Sequence, residues 1–126
     1  MNEFYLSLGS NLGDREFNLS RAIKSLSTSL TLMDSNHILI ENVSSVYESS
    51  AMPDNEQPKF LNIALKITSN LDPLGLLKAA KRIEADFGRN LSEISQPRII
   101  DIDIIFMKSM GKHILVDLEE YNGVLQ

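Results

Sequence analysis

The chain contains no cysteine, which excludes disulfides, thiolate zinc sites and cysteine nucleophiles. No apolar run approaches the roughly 18 residues that a membrane-crossing helix requires. The N-terminal Met1-Asn2-Glu3-Phe4 offers neither the basic region nor the apolar stretch of a signal peptide. Basic residues are in the minority, 12 against 17 acidic, for a formal charge of −5. A nucleic-acid binder usually carries a basic excess on one surface. These absences predict a cytoplasmic protein with neither a nucleic-acid nor a membrane partner. They leave nucleotide enzymes open, since such sites need local cations and carboxylates that hold magnesium, not a basic surface. The GxxxxGK[ST] phosphate loop is also missing. His37 and His113 have no metal-ligand or triad partner at a telling spacing, so both read as surface or structural residues.

What remains is 126 residues with 43% hydrophobic content, the size of one domain with one core. Residues 1–126 are therefore read as a single domain, with any site made from the loops and edges of one unit. Glu3–Leu8 reads as a buried strand, followed by a turn at Gly9-Ser10-Asn11-Leu12-Gly13-Asp14. Leu19, Ala22, Ile23, Leu26 and Leu30 recur at helical spacing, which predicts a helix from Asp14 to about Ser29. A β-rich run, His37–Val46, predicts a strand weakened in its middle by Glu41-Asn42. The stretch from Ser49 to Pro58 is a polar loop with two prolines, and long loops in compact domains are often functional.

Phe60–Thr68 alternates Leu61, Ile63, Leu65 and Ile67 with Phe60, Asn62, Ala64 and Lys66, a two-faced strand. Asp72 fits an N-cap and Pro73 the first helical position. Leu74, Leu77, Ala80, Ile83 and Phe87 form that helix's inner stripe, ended by Gly88. After the irregular stretch Arg89–Pro97 comes a strand from Arg98 to Phe106, and a weak strand signal follows at His113–Val116. The order βαββαβ predicts a ferredoxin-like α+β fold, an antiparallel sheet with its helices packed on one face.

The sharpest chemical feature is Asp101-Ile102-Asp103. On a strand, residues i and i+2 point the same way, so both carboxylates share a face. Magnesium suits such a pair, taking one or two carboxylates, retained waters and substrate phosphate oxygens. By spacing alone, an acidic exposed face fits equally well. Arg98 at the entry to the strand favours phosphate chemistry, since guanidinium matches phosphate geometry. The Gly9–Gly13 turn reads first as a turn, and second as a set of backbone N–H groups that can meet an anion. Asn62 offers a donor and an acceptor to a planar heterocycle, and otherwise reads as an ordinary surface residue.

Five segments in order resemble the 6-hydroxymethyl-7,8-dihydropterin pyrophosphokinase family of folate biosynthesis, over about Tyr5 to Phe106. They are Leu8-Gly9-Ser10-Asn11-Leu12-Gly13, Ser44-Ser45-Val46-Tyr47-Glu48, Gln57-Pro58-Lys59-Phe60-Leu61-Asn62, Arg82-Ile83-Glu84 with Gly88-Arg89, and Pro97-Arg98-Ile99-Ile100-Asp101-Ile102-Asp103-Ile104. The resemblance implies a transferase that moves the β,γ-diphosphate of ATP to the dihydropterin hydroxymethyl group and releases AMP. By that likeness Asp101 and Asp103 would hold two magnesium ions and Arg98 would contact phosphate. Asn62, Phe60 and Ser49 would contact the pterin, while Glu84, Arg89 and Ile104 would border the nucleotide. The loops at 49–57 and 88–97 match family loops that close over the substrates.

The chain departs from the family pattern in four places. Leu91 stands where a second Arg is usual. Ile94-Ser95-Gln96-Pro97-Arg98 replaces an Arg-Trp-Gly-Pro-Arg run, and the protein has no tryptophan. Lys81 occupies the position of a nucleotide-contacting Gln. After about residue 107, the family's C-terminal segment is missing or divergent. Two alternatives therefore stay beside the enzyme: a catalytically impaired pterin- or nucleotide-binding relative acting as a binding or regulatory module, and a plain ferredoxin-like interaction domain. Whether a partner chain completes the site is open from sequence.

Overall fold

The apolar alternation of Phe4, Leu6 and Leu8 makes the first strand the centre of the molecule. All three side chains are buried, while Tyr5 and Ser7 between them turn to the other face. The computed structural model describes residues 2–28, 37–50, 58–88, 99–109 and 112–115. Among these, eight elements follow in order: β1 (Asn2–Ser10), α1 (Arg15–Thr28), β2 (Ile38–Val43), β3 (Tyr47–Ser49), β4 (Phe60–Ser69), α2 (Pro73–Asp86), β5 (Asp101–Ser109) and β6 (Lys112–Leu115). The sheet runs β2-β4-β1-β5-β6, with β3 also paired to β4. Every pairing is antiparallel.

Without β3 and β6, this is the split βαβ arrangement expected from the sequence. Each helix crosses over an intervening strand, α1 over β4 and α2 over β1. Both helices lie on the same face of the sheet. Leu19, Ala22 and Leu26 of α1 and Leu76, Leu77, Ala80 and Ile83 of α2 share one buried cluster with Leu65, Ile67, Ile102 and Ile104. The opposite, outer face carries Tyr5, Ser7, Phe60, Asn62, Asp101 and Asp103.

Helix boundaries follow local chemistry. The Asp14 carboxylate accepts from the Phe17 N–H at 3.1 Å and starts α1, after Gly13 has turned the chain at φ +75°. Asp72 Oδ1 accepts from the Gly75 N–H at 2.7 Å, so the expected cap with Pro73 behind it is present. Capping of this kind is worth about 1 kcal/mol. Phe87 closes α2, and Gly88 follows at φ +87°, a left-handed turn that favours glycine.

One strand differs from expectation. The run predicted over His37–Val46 is split into β2 and β3, both against β4. The register slips between Ile40 and Asn42, where Glu41-Asn42 weakened the pattern. Ser44 bridges the gap: its N–H donates to the Ala64 carbonyl at 2.9 Å, and its hydroxyl accepts from the Ala64 N–H at 2.8 Å. That bridge carries the chain into β3 and brings Ser49, read from sequence as the start of a loop, alongside Phe60. The strand predicted from Arg98 is described from Asp101. Leu30, Arg89 and Arg98 lie outside the described residues, as do most of the two predicted loops and the segment 116–126.

Candidate functional site

The outer face is organised in rows, because directly opposed residues of neighbouring strands share a face. One row reads Asp101, Gly9, Asn62, Tyr47 across β5, β1, β4 and β3. The next reads Asp103, Ser7, Ala64. Strands lie about 4.8 Å apart, so Asn62 stands about 10 Å from the Asp101 strand position. The two aspartates are separated along β5 by two residues, or about 7 Å. Asp101 is half-buried and Asp103 exposed.

Asn62 is held in place. Its amide nitrogen donates to Ser49 Oγ at 2.8 Å and, more weakly, to the Tyr47 carbonyl at 3.4 Å. This turns Oδ1 toward Gly9, where an added β-carbon would stand 3.1 Å from it and 3.1 Å from the Phe60 ring. Gly9 is thus a bare floor between the carboxylates on one side and a ring with an amide on the other. A glycine inside a strand often marks such a close approach. The sequence signal for this role was present, although Gly9 read there as part of a turn.

The turn after β1 is tied inward. Asn18 donates to Ser10 Oγ at 3.2 Å and to the Leu12 carbonyl at 2.9 Å. Asn11 donates to the Pro58 carbonyl at 3.1 Å, and Arg15 bridges Glu48 and the Lys59 carbonyl. These contacts lock the β1–α1 turn against the entry to β4. The Asp14 carboxylate at the start of α1 occupies the position an anion would take there, which favours the plain-turn reading of Gly9–Gly13.

Two residues expected near a nucleotide point inward. Ile104 is part of the core, so its side chain faces the helices, and any surface role falls to its backbone. Glu84 is fully buried. Its Oε1 lies 2.8 Å from Lys81 Nζ, and its Oε2 accepts from the Ile102 N–H at 2.7 Å. A buried carboxylate is kept only when paired and hydrogen-bonded, and here it binds the backbone between the two aspartates. Sequence reasoning missed this tie, which depends on how α2 packs beside β5.

The donor set suits a hard cation. Two carboxylates on one face, with Ser7 beside them, leave room for water and phosphate oxygens, which is how magnesium is usually held. Among the described residues, no group of three or more His, Cys, Asp or Glu forms a self-sufficient metal cage. No described helix is long and apolar enough to cross a membrane. His37 uses its backbone, accepting from Ser69 Oγ and donating to Asn70.

The family model for 7,8-dihydro-6-hydroxymethylpterin-pyrophosphokinase matches residues 5–122. The chain is 42% identical over 106 residues to the bifunctional protein FolKE of Lactococcus lactis subsp. cremoris, covering 84% of this chain and 29% of that protein. It is 41% identical over 104 residues to the 2-amino-4-hydroxy-6-hydroxymethyldihydropteridine pyrophosphokinase of Aquifex aeolicus, covering 82% of this chain and 60% of the relative. The pyrophosphokinase of Bacillus subtilis is 36% identical over 101 residues, 80% of this chain and 57% of its own length. The chain therefore spans less than two thirds of these relatives. The crystal structure of Plasmodium falciparum HPPK-DHPS shares the fold, with a TM-score of 0.53 at 18% identity, over 99% of this chain and 32% of that one. With its sheet order, its rowed outer face and the family match over residues 5–122, the chain belongs to the 7,8-dihydro-6-hydroxymethylpterin-pyrophosphokinase family.

Proposed function

We propose that the protein transfers the β,γ-diphosphate of ATP to the hydroxymethyl group of 6-hydroxymethyl-7,8-dihydropterin, releasing AMP. The observation that carries this reading is the row Asp101–Gly9–Asn62, with Asp103 in the next row, which puts carboxylates and a side-chain amide on either side of a side-chain-free floor. Phe60 offers a ring to the pterin, and Asn62, oriented by Ser49, offers its amide oxygen to the pterin edge. Asp101 and Asp103 would hold magnesium, two ions in our reading, Arg98 would meet phosphate, and Arg89 would border the nucleotide. Glu84 and Ile104 border the nucleotide from inside the fold, through the β5 backbone.

The pterin hydroxyl oxygen forms a bond to the β-phosphorus while the bond from that phosphorus to the α,β-bridging oxygen breaks. AMP leaves with the bridging oxygen, and the hydroxyl proton passes to solvent. Magnesium held by Asp101 and Asp103 would supply charge neutralisation on the triphosphate. Phosphoryl-type transfer depends mostly on such placement and electrostatics. Holding both reactants across one strand would account for part of the barrier, with about 7–11 kcal/mol available from effective concentration. The cytoplasmic placement read from the sequence belongs to the same proposal.

A specific sequence observation favours a second reading, a binding relative without turnover: Leu91 and the tryptophan-free Ile94–Arg98 run remove expected phosphate and ring contacts. Incubation with ATP, magnesium and the dihydropterin, following AMP by chromatography against Asp101→Ala, separates the two. AMP from the wild type alone supports the transferase. Ligand binding without AMP supports the binding relative.

A further inference from the structure

We infer that Ser49 is a positioning residue for heterocycle recognition. Its hydroxyl holds the Asn62 carboxamide in one orientation, with the amide oxygen over Gly9, so that the site takes an N–H edge of its ligand. The inference rests on the reading of Asn62 as a pterin contact, and gives Ser49 a role through its side chain.

A carboxamide has a donor end and an acceptor end of nearly the same shape, so its neighbours decide which end a ligand meets. Two groups of β3 make that decision. Tyr47 lies directly opposite Asn62, and Ser49, two residues on, lies opposite Phe60. The Tyr47 carbonyl can only accept, so the end of Asn62 that faces it, at 3.4 Å, is the NH2 group. That contact is long and weak. The firm one is to Ser49 Oγ, at 2.8 Å. A hydroxyl by itself is compatible with either end of an amide, since it both donates and accepts. Tyr47 therefore selects the orientation, and Ser49 holds it.

With the nitrogen directed to β3, the oxygen is left for a ligand. A β-carbon added to Gly9 would stand 3.1 Å from Asn62 Oδ1, so this acceptor lies over the bare floor. The strand that does the holding is itself fastened. Glu48, between Tyr47 and Ser49, accepts from Arg15 Nη1 at 3.1 Å. The same nitrogen donates to the Lys59 carbonyl at 2.8 Å. Ser49 is thus fixed relative to the start of β4, the strand that carries Asn62. Ser49 is also exposed, so a substitution there leaves the core untouched.

Ser49→Thr and Ser49→Val form a matched pair. Both introduce a β-branched side chain suited to a strand, and only the first keeps a hydroxyl. The test titrates 6-hydroxymethyl-7,8-dihydropterin by calorimetry, with magnesium and a non-hydrolysable ATP analogue present. ATP affinity is measured separately. The proteins are the 126-residue chain, the matched pair, Asn62→Ala, and the double variant Ser49→Val/Asn62→Ala.

The expected result is pterin affinity about 3–10-fold weaker in Ser49→Val, the range set by one hydrogen bond. Ser49→Thr is expected to restore wild-type affinity within about twofold, and ATP affinity is expected to stay unchanged. In the Asn62→Ala background, Ser49→Val should cost nothing further, because a residue that acts through another is not additive with it. Unaltered pterin affinity in Ser49→Val overturns the inference, and so does a loss in Ser49→Thr equal to that in Ser49→Val. An equal loss in the Asn62→Ala background also overturns it, since the hydroxyl then meets the ligand directly. A parallel fall in ATP affinity overturns it as general loosening. If Ser49→Val does not fold, Ser49→Ala takes its place under the same criteria. Wild-type pterin affinity in Asn62→Ala, or no pterin binding by the wild type, removes the reading of Asn62 itself, and the inference falls with it.

Discussion

Asn62 of β4 directs its amide oxygen over Gly9 of β1, so that a β-carbon at Gly9 would lie only 3.1 Å from that oxygen. Substituting even the smallest side chain there pushes the amide and the Phe60 ring away from the floor they share. Gly9→Ala is expected to weaken pterin binding at least 10-fold, and to lower stability by about 1–3 kcal/mol through overpacking. Calorimetric titration with pterin and a urea melt check the two parts. Unchanged pterin affinity would place the heterocycle elsewhere.

Asn62→Ala removes the amide while leaving β5 untouched. The expected outcome is weaker pterin binding with ATP affinity unaltered, because two strand spacings separate Asn62 from the carboxylates. Equal pterin affinity in the variant would argue against this pocket.

Asp103→Ala is expected to abolish magnesium-dependent nucleotide binding and leave the fold intact, since the side chain is exposed on the outer face. Circular dichroism reports the fold, and ATP titration with and without magnesium reports the site. Nucleotide affinity equal to wild type would remove the metal assignment.

Leu65 lies in the middle of β4, 1% exposed, opposite Leu6 on one side and Val43 on the other. Leu65→Ala leaves a cavity between sheet and helices and is expected to cost about 2–5 kcal/mol in chemical denaturation. A loss below about 1 kcal/mol would mean that the core closes over the space.

Asp72→Ala removes the side-chain acceptor of the Gly75 N–H at the start of α2. Pro73 still fixes the first helical residue, so the expected loss is about 1 kcal/mol. Magnesium-dependent ATP binding should persist once the fraction folded is taken into account, because this cap lies at the far end of α2 from Glu84. A larger binding loss would reveal coupling along that helix.

The sequence by itself determined the elements and their faces wherever side-chain period and local chemistry act alone. Alternation in Phe4–Leu8 and in Ile63–Ile67, the 3.6-residue stripe of α2, and Asp72, Pro73 and Gly88 at its ends all depend on near neighbours in the chain. The common face of Asp101 and Asp103 follows from the same two-residue period. Tertiary structure alone decided which faces meet. Gly9 becomes a floor only because β1 lies between β4 and β5, and Ser49 orients Asn62 only because β3 pairs with β4. Glu84, which reads from sequence as a nucleotide neighbour, is placed by helix packing behind the strand, where a desolvated carboxylate must find Lys81 and the Ile102 amide. Periodicity records which way a side chain points, whereas strand order and helix packing, set by burial of the whole core, decide what it points at.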